Sequence, residues 1–187
     1  MTIRIDDAEL IAMARRLISI PTENPPGEYE VIAGVLSELM QDSGLEVQAL
    51  KGRPDKPNVV GLWRGTVGGS TLMLSGHTDV VSAGDHLLWS YPPYEGCVAD
   101  GYIWGRGSVD MKGALAAHLS AVRALRRCGF VPAQNVMLAA TVDDEIAGKM
   151  GMKYLLEEGL LQAGLPMPTF HVLGEATGLQ LMTVFKG

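Results

Sequence analysis

Three stretches of the chain place apolar residues three and four positions apart, the pattern of an amphipathic helix with one buried face. In the first, Asp6 and Glu9 stand in the positions of a capping box. In the second, Val31 is expected on the buried face, and Gly44 and Gly129 are placed to end the second and third helices. The predicted helices cover residues 6–18, 31–40 and 110–127, and a fourth is predicted around 149–158.

Short apolar or alternating runs between these helices predict β-strands. The predicted strands cover residues 45–50, 58–63, 71–74, 135–141, 169–173 and 179–185. An Asp100-Gly101 turn between two short apolar runs predicts a tight hairpin over 97–104. Because strands alternate with helices, the sequence predicts an α/β sandwich with a largely parallel sheet.

Composition and charge narrow the class of protein. The chain has 187 residues, of which 47% are hydrophobic and 19% charged, so it can form one domain with a sizeable core. The net charge of −6 disfavours nucleic acid or an anionic membrane as a partner. The first residues lack the layout of a signal peptide, and no apolar run approaches the roughly 18 residues that span a bilayer. Cys97 and Cys128 form no disulfide framework, so we expect a cytoplasmic protein.

Polar clusters follow several of the predicted strands, each about one βα unit after the last. In α/β sheets, ligands bind outside the carboxyl ends of the strands, so these clusters could converge at one rim. A carboxylate two residues from a histidine can fix the tautomer and orientation of a metal-binding imidazole. The clusters are His77 with Asp79, Asp110, Asp143-Asp144-Glu145, and Glu175.

Each cluster also has a simpler interpretation. Asp110 could be a plain N-cap of the helix that follows it. The acidic triplet from Asp143 to Glu145 could be a solvated loop, and Glu175 could be a turn residue after a buried strand. The segment from Gly105 to Asp110 lacks the third glycine of a dinucleotide-binding loop, and a carboxylate there would repel a pyrophosphate, so we reject that function.

Four motifs in order carry a resemblance to a known family. They are Ser75-Gly-His-Thr-Asp-Val-Val81, the segment from Gly105 to Gly113, Thr141-Val-Asp-Asp-Glu145 and Gly174-Glu-Ala-Thr-Gly178. The chain resembles, over essentially its whole length, the acetylornithine deacetylase / succinyl-diaminopimelate desuccinylase family, which includes aminoacylase, carboxypeptidase G and related dipeptidases. The resemblance implies a three-layer α/β/α sandwich with a largely parallel mixed sheet, like that of zinc-dependent exopeptidases.

The resemblance also implies a centre of two Zn²⁺ ions, with Co²⁺ or Mn²⁺ as alternative metals. By position in the motifs, His77 and Glu175 would bind one ion and Glu145 the other. Asp110 would bridge the two ions. The peptide bond after Asp110 would be cis, an unusual conformation for a residue other than proline.

The same resemblance implies two catalytic residues. Asp79 would orient His77 from behind, and Asp144 would be the general base that takes a proton from the attacking water. The family usually has glutamate where this chain has Asp144, and the shorter side chain holds its carboxylate further from the water. A misplacement of about 1 Å can cost on the order of 100-fold in rate.

The family's later parts bear on the expected activity. The chain ends about where the family inserts its lid and dimerisation domain, so we expect residues 1–187 to be the N-terminal part of the catalytic domain. The late histidine that completes the second metal site is then absent, as is the lid-mediated dimer, and exposed apolar surface could favour self-association. We expect a metal-dependent amidohydrolase acting on an N-acyl amino acid or small peptide. The alternative is a non-catalytic metal-binding fragment or pseudoenzyme.

Overall fold

A computed structural model describes residues 2–178. The strands are β1 (Glu46–Lys51), β2 (Pro57–Trp63), β3 (Thr71–His77), β4 (Cys97–Ala99), β5 (Tyr102–Trp104), β6 (Asn135–Thr141) and β7 (Phe170–Leu173). The helices are α1 (Asp7–Ile18), α2 (Glu30–Asp42), α3 (Lys112–Arg127), α4 (Met152–Tyr154) and α5 (Leu160–Gln162). A 3-10 turn covers His86–Leu88, and a π-helical turn at Leu155–Gly159 joins α4 to α5. The strand predicted over 179–185 lies outside the described residues.

The main sheet has five strands in the order β1-β2-β6-β3-β7. β3 pairs in parallel with β6 and β7, whereas β1 with β2 and β2 with β6 are antiparallel. His77 is level with Thr141, and Ser75 is level with Leu173. The residues that follow β3, β6 and β7 therefore leave the sheet side by side at one edge, which is what brings the polar clusters together.

Helices cover the two faces of this sheet. Leu138 and Ala140 of β6 pack against the core formed with α1, α2 and α3. Met137 and Ala139 of the same strand pack on the opposite face, against the turn from Leu155 to Leu160 and its neighbours. Neighbouring residues of a strand point to opposite faces, so one strand serves both cores. The predicted three-layer α/β/α sandwich with a mixed sheet is confirmed.

Local signals placed several element ends correctly. Asp6 caps α1 by accepting a hydrogen bond from the backbone N–H of Glu9 at 3.0 Å. Asp100 and Gly101 both have positive φ, 55° and 82°, as a tight hairpin turn between β4 and β5 requires.

Cys97 and Cys128 are both free and partly buried. None of the helices within residues 2–178 combines the length and apolar character that crossing a bilayer demands.

Other expectations were wrong. Val31 is 66% exposed, because it lies at the margin of the apolar stripe of α2, whose buried part begins at Ile32. The segment between β6 and α4, residues 142–151, is called the acidic loop below. The last helix begins at Met152 rather than 149, because the turn that closes this loop extends to Gly151. The strand before Glu175 is not buried: every residue of β7 is exposed, because β7 pairs with β3 alone and forms the edge of the described sheet.

Candidate metal centre

His77 is the last residue of β3 and is 3% exposed. Its Nδ1 lies 2.9 Å from the backbone carbonyl oxygen of Asp79. A carbonyl oxygen can only accept, so this contact places the proton of the neutral imidazole on Nδ1 and leaves the lone pair on Nε2. Nε2 faces the open edge of the sheet, 2.9 Å from Asp110 Oδ1 and 3.6 Å from Glu175 Oε1.

Asp110 stands just before α3, and the peptide bond that joins it to Met111 is cis, as the resemblance implied. Met111 occupies the N-cap position of α3 without a side-chain hydrogen bond, so the interpretation of Asp110 as a plain N-cap is wrong. The helix accordingly begins at Lys112 rather than at Asp110. At Gly113 a Cβ would lie 2.1 Å from the carbonyl oxygen of Ser108, so this close turn of the backbone requires glycine.

The acidic triplet after β6 is divided between two environments. Asp143 turns inward, is 4% exposed, and has a positive φ of 61°. Its Oδ1 accepts hydrogen bonds from Lys56 Nζ at 2.7 Å, Tyr29 OH at 2.9 Å and Asn24 Nδ2 at 3.2 Å. Asp144 and Glu145 lie on the outer side, towards His77. The interpretation of the whole triplet as a solvated loop is therefore wrong for Asp143.

Asp79 lies behind the site and is completely buried. Its carboxylate accepts from the backbone N–H groups of Asp144 at 3.2 Å and Glu145 at 3.1 Å, and from Asn24 Nδ2 at 2.9 Å. The carboxylate is 3.6 Å from His77 Nδ1, further than the Asp79 carbonyl oxygen. In this structure Asp79 thus contacts His77 through its main chain and the acidic loop through its side chain.

The other five predicted residues converge. Two sets of three possible ligand atoms lie within 4.8 Å of one another: His77, Asp110 and Glu145 form the first set, and His77, Asp144 and Glu175 form the second. In the predicted arrangement Asp110 is shared between two ions, whereas the residue common to both sets in this structure is His77.

The electrostatics of the site favour a bound cation. Burial and the negative charge of Asp110 raise the pKa of Glu145 and Glu175. Burial alone would lower the pKa of His77, but the charges of Asp79, Asp110 and Asp144 outweigh it and raise the pKa. The lone pair on Nε2 and the Asp110 carboxylate are both acceptors, so their 2.9 Å approach calls for a proton or a metal ion between them. Imidazole with carboxylates suits Zn²⁺, Co²⁺ or Mn²⁺, so the donor set fits the implied metal.

Sequence reasoning missed the three residues that hold Asp143: Asn24, Tyr29 and Lys56. Lys56 is 87 positions from Asp143, and a lysine between Asp55 and Pro57 is typical of an exposed turn. Burial, followed by the charges of Asp79 and Asp143, raises the pKa of Tyr29 far above its usual value, so its hydroxyl remains a donor. No local pattern in the sequence indicates these contacts.

The fold and the site together define an α/β protein with a candidate metal centre at the carboxyl ends of three strands. Residues 73–184 match the model of Peptidase family M20/M25/M40. This match covers more than half of the chain, and the chain therefore belongs to that family. The resemblance stated from the motifs is confirmed.

Individual relatives agree with this assignment. The succinyl-diaminopimelate desuccinylase of Paracoccus denitrificans is 38% identical over 157 residues, which cover 81% of this chain and 38% of that protein. The N-formyl-4-amino-5-aminomethyl-2-methylpyrimidine deformylase of Halalkalibacterium halodurans is 34% identical over 154 residues, which cover 81% of this chain and 36% of that protein. The chain thus spans less than two fifths of the length of these relatives.

A solved structure shows the same fold. An M20 family metallo-carboxypeptidase from Sulfolobus solfataricus matches with a TM-score of 0.75 and 22% identity, over 89% of this chain and 37% of that chain.

Proposed function

We propose that this chain carries part of the active site of a metal-dependent amidohydrolase, which hydrolyses the amide bond of an N-acyl amino acid or a small peptide. The observation that carries the proposal is the convergence of His77 Nε2 with four carboxylates where β3, β6 and β7 end. The names of the two relatives, a desuccinylase and a deformylase, support an acyl group on nitrogen as the target.

The proposed metal ligands are those that the motifs indicate. His77 and Glu175 would hold one Zn²⁺, Glu145 would hold a second, and Asp110 would bridge them, with Co²⁺ or Mn²⁺ as alternatives. When bound, such ions polarise the scissile carbonyl and acidify the attacking water. The chain's own part is to fix Nε2 towards the site, which the hydrogen bond from Nδ1 to the Asp79 carbonyl does.

Asp144 is the proposed general base. Its carboxylate lies on the outer side of the acidic loop, within 4.8 Å of ligand atoms of His77 and Glu175. In this position it can accept a proton from water held between the ligands and pass it to the leaving nitrogen. Asp79 is the proposed orienting residue, since it touches both His77 and the backbone that presents Asp144.

Zinc binding and turnover test this proposal together. We expect the 187-residue chain to bind Zn²⁺ in calorimetric titration and to hydrolyse N-succinyl-diaminopimelate or N-acetylornithine when Zn²⁺ or Co²⁺ is added. His77→Ala should abolish both, whereas His86→Ala, a change at an exposed histidine of the 3-10 turn, should alter neither. Zinc binding without turnover on either substrate would favour the non-catalytic metal-binding alternative. An absence of zinc binding by the folded chain would overturn the metal centre itself.

Several further expectations stay predictions. They are the cytoplasmic location, the absence of nucleic-acid and membrane partners, self-association through exposed apolar surface, and the assignment of residues 1–187 to the N-terminal part of a catalytic domain.

A further inference from the structure

A buried ion pair lies directly behind the candidate metal centre. Lys56 Nζ is 2.7 Å from Asp143 Oδ1, and the side chain of each is only 6% exposed. Tyr29 adds a hydrogen bond to the same oxygen, and its ring lies under the Lys56 ammonium, 4.7 Å from Nζ to the ring centroid. Charged residues are almost never buried this fully unless they are paired, so each of these two charges depends on the other for compensation.

The ion pair is connected to the site through the backbone. Asp143 is followed directly by Asp144 and Glu145, whose N–H groups donate to the Asp79 carboxylate. Asn24 Nδ2 donates to both Asp79 and Asp143 and so joins the two anchors, at 2.9 and 3.2 Å. The backbone that carries the two outer carboxylates is therefore fixed by hydrogen bonds to buried side chains at three consecutive residues, Asp143, Asp144 and Glu145.

The far end of the loop closes on the same residue. The backbone N–H of Gly148 donates to the carbonyl oxygen of Asp143 at 2.8 Å. A Cβ at Gly148 would lie 2.4 Å from the Asp143 Cβ, so only glycine allows this closure without displacing Asp143. The loop thus has little freedom to shift unless Asp143 itself moves.

We propose that Lys56 is a positioning residue: through its ion pair with Asp143 it sets the place of the Asp144 and Glu145 carboxylates in the candidate metal centre. The inference rests on the proposed function, since it assigns Lys56 a role towards the proposed metal. Each of the two possible ligand sets takes one of its three members from this segment, Glu145 in one and Asp144 in the other. A shift of the segment therefore weakens whichever set binds the ion.

A role in fold stability alone gives a different result. If Lys56 served only to neutralise Asp143, its loss would lower the stability of the chain but would leave zinc affinity unchanged in protein that is still folded. Substitutions of residues that hydrogen-bond directly to metal ligands typically cost about 10–100-fold in metal affinity, and a residue one contact further away should act at the lower end of this range. Zinc affinity of folded protein therefore separates the two roles, and it does not depend on turnover.

The test is calorimetric titration of Zn²⁺ into the metal-free 187-residue chain, with circular dichroism to establish that each variant is folded. We expect Lys56→Met to weaken zinc binding about 10-fold, the lower end of the range for direct partners of metal ligands, because Lys56 acts through Asp143. Lys56→Arg keeps a cation opposite Asp143 and should recover part of the affinity. Lys51→Met is the matched control, because Lys51 is 41% exposed and lies 3.8 Å from its partner Glu30, and it should bind zinc like the unsubstituted chain.

The outcomes separate the two proposals. If the unsubstituted folded chain does not bind Zn²⁺, the proposed function fails, and the positioning role fails with it. If that chain binds zinc and folded Lys56→Met binds it equally well, only the positioning role is overturned. Should Lys56→Met not fold, Lys56→Gln decides, because it removes the ion pair with Asp143 but keeps a polar side chain at that position. Weaker zinc binding by folded Lys56→Gln supports the inference, and unchanged binding overturns it.

Discussion

The carboxylates on the two sides of the acidic loop differ in the partners that balance their charge. On the buried side, formed by Asp79 and Asp143, the carboxylates accept hydrogen bonds from Lys56, Tyr29, Asn24 and two backbone N–H groups. On the open side, four carboxylates surround His77, and none of the ion pairs found within residues 2–178 joins them to a lysine or arginine. The open-side carboxylates are those of Asp110, Asp144, Glu145 and Glu175.

This difference shows where the fold balances its own charge and where it leaves charge for a ligand. Removing one partner of a buried ion pair is costly, because it leaves the other charge buried without compensation. Carboxylates gathered without a cation repel one another and store a cost that an incoming metal ion relieves. The two sides should therefore respond to substitution with opposite signs.

The largest effect is expected on the buried side. Asp143→Asn leaves the Lys56 ammonium buried without an opposite charge, and we expect the free energy of unfolding to fall by about 3–5 kcal/mol. Urea unfolding of the metal-free chain measures this. Glu46→Gln, which breaks the exposed pair with Arg64, is the control and should leave stability nearly unchanged. A loss for Asp143→Asn no larger than that of the control would mean that the Lys56 ammonium does not depend on Asp143 for compensation of its charge.

A smaller loss of stability is expected at Glu9, whose carboxylate is paired with two arginines and lies far from the acidic loop in sequence. Glu9 accepts hydrogen bonds from Arg123 and Arg127, each at 2.7 Å. Its side chain is 24% exposed, so solvent screens the interaction more than it screens the buried pair. We expect Glu9→Gln to lower the free energy of unfolding by about 1 kcal/mol at neutral pH.

The same residue gives this stability a defined pH dependence. Burial alone would raise the pKa of Glu9, but the hydrogen bonds from Arg127 and Arg123 outweigh it and lower the pKa. A carboxylate with a lowered folded pKa contributes stability above its unfolded pKa of about 4.3, and this contribution is lost as the pH falls through the folded pKa. The difference between the unsubstituted chain and Glu9→Gln, measured by urea unfolding, should therefore shrink below about pH 4.3. A difference that grows on acidification would contradict it.

The smallest effect should have the opposite sign and belongs to the open side. Glu145→Gln removes one of the mutually repelling charges, and we expect the metal-free chain in EDTA to gain about 0.5 kcal/mol of stability. The same substitution should weaken zinc binding, because an amide is a poorer ligand than a carboxylate. Glu158→Gln, at an exposed position of the π-helical turn, is the control. A clear loss of stability for Glu145→Gln in EDTA would show that the open side is already balanced.

The sequence predicts the open side better than the buried side, for a physical reason. His77 ends a strand, Glu145 and Glu175 follow strands, and Asp110 stands two residues before a helix. Local periodicity in the sequence marks where those elements begin and end. Parallel strands in register then bring these ends to one edge of the sheet. The partners of Asp143 come from the loop before α2 and from the residue just before β2, and nothing in the local pattern selects them.

Local sequence patterns also could not predict which residues are buried at the edges of the fold. Phe170 and Val172 have the composition of a buried strand, yet both are exposed, because burial depends on what lies beside β7 rather than on β7 itself. Val31 shows the same limit on a helix, where one position of rotation separates the buried stripe from solvent. The sequence thus predicts the type of each element, whereas the burial of its residues depends on neighbouring elements that only the structure shows.

The hydrogen bond between His77 Nδ1 and the Asp79 carbonyl has a consequence for how ions would share the site. It leaves the imidazole a single lone pair, on Nε2, and one lone pair serves one ion. The two ligand sets that include His77 therefore cannot both be complete at once. Under the proposed function, the ion bound by Nε2 would have both nitrogen and oxygen ligands. The described residues would provide the second ion with oxygen ligands alone, and hard cations such as Mg²⁺ or Mn²⁺ prefer such ligands. Two chemically unequal positions would then arise from one tautomer.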